Sequence, residues 1–488
     1  MPSMIRSGFV SFRAGVQRRP LLVAAAVVGV IEICEAAADS TPVLFPDSGA
    51  FIANALGLGF VSFRSYVYGW VIRLVSVPFQ SLTALVMFQV LIGGLTAWFV
   101  ALTLRRYFAV RPSIAIGAAV LFAIDPMQVV YQRMVMAEAT AMVVVAVLLL
   151  ASLEYVRSRK SFWLAAVAVA GITLVSLRIA YLPAVLVWAI ALPVAPYVKP
   201  YWQTRSPRHL RTALIALLVS SLATFACHTA YRHLTGYLGH SEPAYTDWQG
   251  LFAVATVAPL LTPEDTDEPF VAKLIVDQEA SAIPLSHAGW RVRQLWDAGG
   301  FVQRLTSGYG GDSLAASREG QRLFRRAVSR DPVGYLRLAA RNYVLYWRDL
   351  QDVAAILRHE SGLGPRSFVT AEDTAMVAAA FGLDTRRMHE VESPARRYFL
   401  LSRWWCAVLL TVPFLALAAV FRVREGEALA VAVLAVWSWL VMLEISFGTT
   451  MTEYRYLHPL SFIGAIAIGL LLERRVSLSR IATTPPSA

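Results

Sequence analysis

Long unbroken apolar runs alternate with short polar connectors along this chain. Runs long enough to cross about 30 Å of hydrocarbon occupy residues 20–37, 81–104, 112–127, 135–153, 161–177, 179–196, 212–229, 399–421, 427–447 and 456–472. Each predicts a membrane-spanning helix, because backbone polar groups surrounded by lipid must be paired within their own segment. A polar stretch, 230–397, separates the seventh run from the eighth and mixes acidic, turn-rich sequence such as "LTPEDTDEPF" with helical sequence such as "DPVGYLRLAARNYVLYWRDL". In the latter, Tyr335, Leu336, Ala339, Tyr343, Tyr346, Trp347 and Leu350 recur at helical spacing, while Arg337, Arg341 and Arg348 share the opposite face. Two readings stay open for it: an amphipathic helix on the outer membrane-water interface, or a helix packed within a folded external domain. The pattern therefore predicts an all-α polytopic membrane protein with about ten transmembrane helices and a mostly helical external domain. We divide it into a transmembrane module, 1–229, whose first external loop is 38–80; an external segment, 230–397; C-terminal transmembrane helices, 398–473; and a tail, 474–488.

Composition agrees: 57% of the residues are hydrophobic and 16% charged, where soluble domains carry about 25% charged residues. The formal net charge of +12 raises nucleic acid as a partner, but the distribution of that charge argues against it. Basic residues cluster in alternate connectors: Arg6, Arg13, Arg18 and Arg19; Arg105, Arg106 and Arg111; Arg157, Arg159 and Lys160; Lys199, Arg205, Arg208 and Arg211; Arg422 and Arg424; Arg474, Arg475 and Arg480. By the positive-inside rule all of these are cytoplasmic, and ten spans then leave both termini inside. The first run also imitates a signal peptide, with Ala36-Ala37-Ala38 as a cleavage site, but Glu32 and Glu35 interrupt its end and favour a retained span. Cys34, Cys227 and Cys406 sit within or at the ends of apolar runs and form no disulfide framework or CxxC site. The lack of any N-x-S/T sequon favours a bacterial inner membrane over a secretory-pathway setting.

Candidate chemistry concentrates on the outward side. Glu32, Glu35, Glu138 and Glu444 lie near the outer ends of their runs and, with Asp47 and Asp125, are placed to converge on one polar cavity. The outer loops also carry Arg64, Arg73, Arg133, Arg178 and Arg455. A guanidinium at headgroup depth suits bidentate contact with phosphate oxygens, and a lipid-linked phosphate is its natural ligand. The plain alternative is that each such side chain only snorkels to water or pairs with a neighbour. His228, His233 and His240 match no common zinc spacing, and no P-loop, GxSxG elbow or GxGxxG is present. We expect no cofactor and no metal.

The order of these features resembles the GT-C membrane glycosyltransferases, in particular the polyprenyl-phosphate-sugar-dependent enzymes related to protein mannosyltransferases and aminoarabinose transferases. The residues that carry the likeness are the acid in "STPVLFPDSGAFI", then "FRSYVYGWVIRLVSVPFQSLTALVMFQVLIGGLTAWFVALTLRRYF", "DPMQVVYQRMVMAEATAMVVVAVLLLASLEYV" and, late in the chain, "EYRYLHP". It covers about residues 15–230 and the "RYLHP" region; segment 230–397 matches nothing in it. The resemblance implies that Asp47 is the catalytic base, with Glu138 and Asp125 as further site acids, and that Arg455 with Tyr456 lines the donor site. Arg64, Arg133 and Arg178 join these as candidate phosphate ligands. Where the family has a second acid after the first, this chain has Ser48.

The implied reaction moves a sugar from a polyprenyl-phosphate donor to an acceptor on the outer, periplasmic side, with inversion. The acceptor is a glycolipid, lipid A, a polysaccharide or a protein, and segment 230–397 is expected to select it. Three other readings compete: a flippase or transporter of lipid-linked sugars, an O-antigen polymerase or ligase, and an inactive subunit of an envelope complex. A transporter calls for charges near the midplane and inverted repeats with broken helices. A polymerase or ligase relies on loop arginines and a histidine rather than on an acid after the first span.

Overall fold

A computed structural model describes residues 19–59, 64–279, 289–348, 370–385, 397–398, 400–449 and 454–483. Arg6, Arg13 and Arg18 of the first basic cluster lie outside them, as does Leu350. The helices are α1 (Pro20–Ala38), α2 (Ser48–Leu56), α3 (Tyr66–Val75), α4 (Leu82–Phe108), α5 (Pro112–Ala123), α6 (Pro126–Tyr131), α7 (Glu138–Ser158), α8 (Phe162–Leu177), α9 (Leu182–Thr204) and α10 (Pro207–Gly239). The external segment follows with α11 (Gln249–Val257), α12 (Pro269–Glu279), α13 (Trp290–Trp296), α14 (Phe301–Gly308), α15 (Ser313–Arg330), α16 (Pro332–Arg348) and α17 (Ala371–Phe381). The chain returns to apolar sequence in α18 (Ser402–Val420), α19 (Glu425–Phe447) and α20 (Pro459–Thr483).

Over its described residues each of the ten apolar runs is mainly helical, and among the described residues no strand forms. Among the described residues six helices are long and apolar enough to cross a membrane, and α5, α8 and α18 are shorter apolar helices. Large apolar side chains such as Leu91 on α4 and Leu222 and Phe225 on α10 are exposed, as side chains facing lipid would be. The chain is a polytopic, all-α membrane protein.

The spans form one bundle in which the C-terminal helices close onto the N-terminal ones. Helix α1 packs on α4 and α5, α7 on α8, and α10 on both α8 and α9, while α18 lies against α19 and α20, and α20 against α5. A single core runs from Ala24 to Leu470. Within it Trp188 of α9 meets Trp437 of α19 edge-on at 5.5 Å and donates its ring N–H to Ser152 Oγ of α7 at 3.0 Å, so the polar end of a buried indole is satisfied. The two ends of the bundle differ. At one end the ion pairs Arg106–Glu154, Arg111–Glu473 and Lys199–Glu425 tie helix termini together. The expected outer loops gather at the other.

The external segment has its own core, built from Leu251, Val254, Phe301, Leu305, Leu323 and Ala327 among others. It grips the bundle at the C-terminus of α19, where the last carbonyls lack helical partners. Arg291 Nη1 donates to Ser446 O at 3.0 Å and Thr449 O at 2.9 Å, and Asn342 Nδ2 donates to Ile445 O at 2.7 Å. A buried cation at a helix C-terminus also meets the negative end of the helix dipole. Helix α16 settles between its two readings in an instructive way. Its stripe Leu338, Asn342, Leu345 and Tyr346 is buried, and the helix packs against α19. A second stripe, Val333, Leu336, Val344 and Trp347, stays exposed.

Candidate functional site

The first external loop folds as two short helices rather than an open turn. Gly69 of α3 makes the close approach that stacks α3 on α2, since a Cβ there would lie 2.9 Å from Asn54 Cβ, and Phe51 meets Tyr68 edge-on at 5.0 Å. Asp47 occupies the N-cap position of α2, yet its side chain does not cap that helix. It is turned instead onto two arginines. Oδ1 pairs with Arg64, immediately before the Ser65 N-cap of α3, and Oδ2 accepts from Arg455 Nη1 at 3.0 Å, across a separation of 408 residues. Burial pushes the Asp47 carboxyl up, but Arg64, Arg455 and Arg178 push harder the other way, so it is held below the ordinary carboxylate range.

Ser48, which stands in place of an acid, has a structural task. Its hydroxyl accepts from Phe45 N at 2.8 Å and donates to Val135 O at 2.9 Å. Around it the first and second outer loops are joined as a short parallel bridge, Val43 to Met134, with Val43 N donating to Arg133 O at 2.8 Å and Val135 N to Val43 O at 3.0 Å. Gln89 of α4 supports the second loop by donating to Gln132 O and Met134 O at 2.9 and 2.8 Å, and accepts from Tyr68 OH at 2.8 Å.

Glu138 opens α7 and pairs with Arg178, which follows α8. The Arg178 guanidinium lies over the Tyr456 ring at 5.1 Å from its centroid, and that of Arg455 lies over Tyr456 and Phe45 at 5.4 and 5.3 Å. Cation–π contacts of this kind hold guanidinium planes in place without using up their N–H donors. Asp47, Arg64, Glu138, Arg178, Arg455 and Tyr456 thus form one cluster of three guanidinium groups, two carboxylates and an aromatic face at the bundle end where the expected outer loops gather.

Arg133 and Asp125 do different work. Arg133 is fully buried and donates through Nε to Asp39 O at 2.8 Å, through Nη1 to Val129 O at 2.6 Å and through Nη2 to Glu35 O at 2.7 Å; it ties the end of α1 to the second loop. Asp125 caps α6 by accepting from Met127 N at 2.8 Å. His228, by contrast, faces Tyr245 OH at 2.8 Å, and among the described residues no group of three or more His, Cys, Asp or Glu side chains is arranged to hold a metal ion.

Two neighbours of the cluster escape sequence reasoning. Trp296 of the external segment lies beneath the Arg64 guanidinium, 5.9 Å from ring centroid to Cζ, and itself stacks on Trp248 at 5.4 Å. Helix α17 comes down on α2 so that Asp373 Oδ1 lies 1.9 Å from where a Cβ on Gly49 would sit. Both come from the stretch without family resemblance. Only their residue types hinted at a contact: a pair of tryptophans, and an acidic first turn on a short, mostly apolar helix.

Residues 64–224 match the family model described as dolichyl-phosphate-mannose-protein mannosyltransferase. No curated protein and no solved structure matches the chain. The matched stretch holds Arg64, Glu138 and Arg178, and the cluster is completed by residues before and after it. The GT-C resemblance is thereby supported over residues 64–224, a stretch similar to membrane glycosyltransferases of the GT-C type.

Proposed function

We propose that this enzyme transfers a sugar from a polyprenyl-phosphate donor to an acceptor on the outer side of a bacterial inner membrane. The observation that carries the reading is Asp47 held between Arg64 and Arg455, with Arg178 alongside. Three guanidinium groups at one helix-bundle end supply the charge that a departing lipid phosphate needs. The carboxylate among them supplies a proton acceptor.

In this mechanism the acceptor hydroxyl attacks the anomeric carbon and gives its proton to Asp47. The new glycosidic bond forms on the face opposite the breaking C–O bond to phosphate, so the configuration inverts, and polyprenyl phosphate leaves with the bonding electrons. A carboxylate of low basicity is a weak base, and the double ion pair makes Asp47 weak at rest. As negative charge grows on the phosphate, the arginines shift their interaction toward it and Asp47 becomes more basic when the proton must move. Leaving-group departure and base strength are coupled through Arg455 and Arg64. Glu138 keeps Arg178 oriented. Arg133 and Asp125 support the loops, and the reading calls for no metal or organic cofactor. Segment 230–397 selects the acceptor, reaching the cluster through Trp296 and Asp373.

The test is Asp47→Asn, assayed with labelled polyprenyl-phosphate mannose in membranes that contain the native acceptor. Donor binding is retained and transfer falls by about 10²- to 10⁴-fold, the usual worth of a general base. Transfer at the unaltered rate refutes the assignment.

A further inference from the structure

The carboxylates of the cluster, Asp47 and Glu138, are paired with arginines, but a third acid beside them is not. Glu444, in the last turn of α19, is 4% exposed, and neither carboxylate oxygen has a hydrogen-bond partner. It lies within electrostatic reach of Arg178 and of Tyr181, and Arg178 is in turn a neighbour of Asp47 and the partner of Glu138. Buried polar groups are almost always hydrogen-bonded, and an unsatisfied one points to a missing partner.

The surrounding structure fixes the backbone at this position. Gly448 N donates to Glu444 O at 2.7 Å, and directly beyond it Asn342 and Arg291 clamp Ile445, Ser446 and Thr449. Arg178 lies within electrostatic reach of Glu444 yet donates to neither of its oxygens, so the carboxyl lacks hydrogen-bond donors. Neutral donors are what it is built to accept.

We infer that Glu444 binds the donor sugar through two of its hydroxyl groups, and that it is a sugar-specificity residue of the transferase. The inference rests on the proposed function, which brings a sugar phosphate to the arginines; the hydroxyls of that sugar are the donors placed to reach a carboxylate next to Arg178. A carboxylate that accepts from two hydroxyls reads their relative positions on the ring, whereas arginines holding a phosphate do not distinguish one sugar from another.

Binding measurements need no acceptor. The purified full-length protein is titrated with bare polyprenyl phosphate and with polyprenyl-phosphate mannose, glucose and arabinose. Unaltered protein binds one glycosylated lipid more tightly than the bare one. Glu444→Gln and Glu444→Ala lose that advantage by roughly tenfold or more, the size of a charge-assisted hydrogen bond, and keep their affinity for bare polyprenyl phosphate. One monodeoxy analogue of the preferred sugar binds weakly to the unaltered protein and is not further weakened by Glu444→Gln. If Glu444→Gln keeps the sugar advantage, or loses bare and glycosylated lipid alike, Glu444 is not a sugar ligand. If the unaltered protein prefers no glycosylated lipid, the proposed function itself falls.

Discussion

At the scale of single residues the cluster shows one acid doing more than it reveals by position. Asp47 is legible in the sequence as an acid on a Pro- and Gly-marked turn, but its partners are not, because Arg455 lies 408 residues away and no spacing rule spans that interval. Ser48 looked like a missing acid and turns out to be a loop fastener. The pH behaviour follows from the ion pairs. Because the folded Asp47 pKa is depressed, its pairing stabilises the fold fully above the unfolded value of about 3.9 and that contribution is lost as pH falls through the folded pKa. Between pH 5 and 8 Asp47 stays ionised, so its titration contributes no limb to the kcat/KM profile there. Arg455→Met removes one of the two partners, raises the Asp47 pKa, and moves the acid limb to higher pH. A profile for this variant that is displaced only vertically, with the limb unmoved, contradicts the assignment of Asp47 as the titrating base.

At the scale of elements, the spans were legible because an apolar run of membrane length has few other uses. The first loop was less so. Helices α2 and α3 are short and depend on each other, on Gly69 and on the second loop, and such tertiary dependence leaves little local signal. Helix α16 carried two apolar stripes in one sequence, and only the fold shows that the one bearing Asn342 meets α19. The clamp on α19 is the element-level feature most open to measurement. Arg291→Met leaves the carbonyls of Ser446 and Thr449 without this donor, at a cost of about 1–3 kcal/mol. We expect a lower Tm for the full-length protein and, through displacement of Glu444, a weaker preference for the glycosylated donor. An unchanged Tm means that these contacts do not bind the external segment to the bundle.

For the whole molecule, the separation of charge between the two bundle ends makes orientation a test of function. The ends held by Arg106–Glu154 and Arg111–Glu473 face the cytoplasm in our reading, and the Asp47 cluster faces outward. With Cys34, Cys227 and Cys406 replaced by Ser, Glu264→Cys reacts with a membrane-impermeant maleimide on intact spheroplasts, and Arg157→Cys reacts only after lysis. The reverse pattern places the donor site on the cytoplasmic side. Basic clusters between spans give the topology that this labelling tests, whereas no such signal announced the approach of Trp296 and Asp373 to the site. Those contacts depend on how two separately packed cores meet, which no local pattern encodes.

The bridge between Val43 and Met134, fastened by Ser48 to Val135, has a practical consequence for anyone who would alter this enzyme. Residues 43–48 and 132–135 are one mechanical part made from two stretches of chain. Libraries that randomise either stretch alone pit a changed half against a fixed one, and most members are lost to misfit before chemistry is sampled. Diversifying the two together, with Asp47 and Ser48 kept and Gln89 and Tyr68 held constant as their common support, keeps the part intact while its shape is searched.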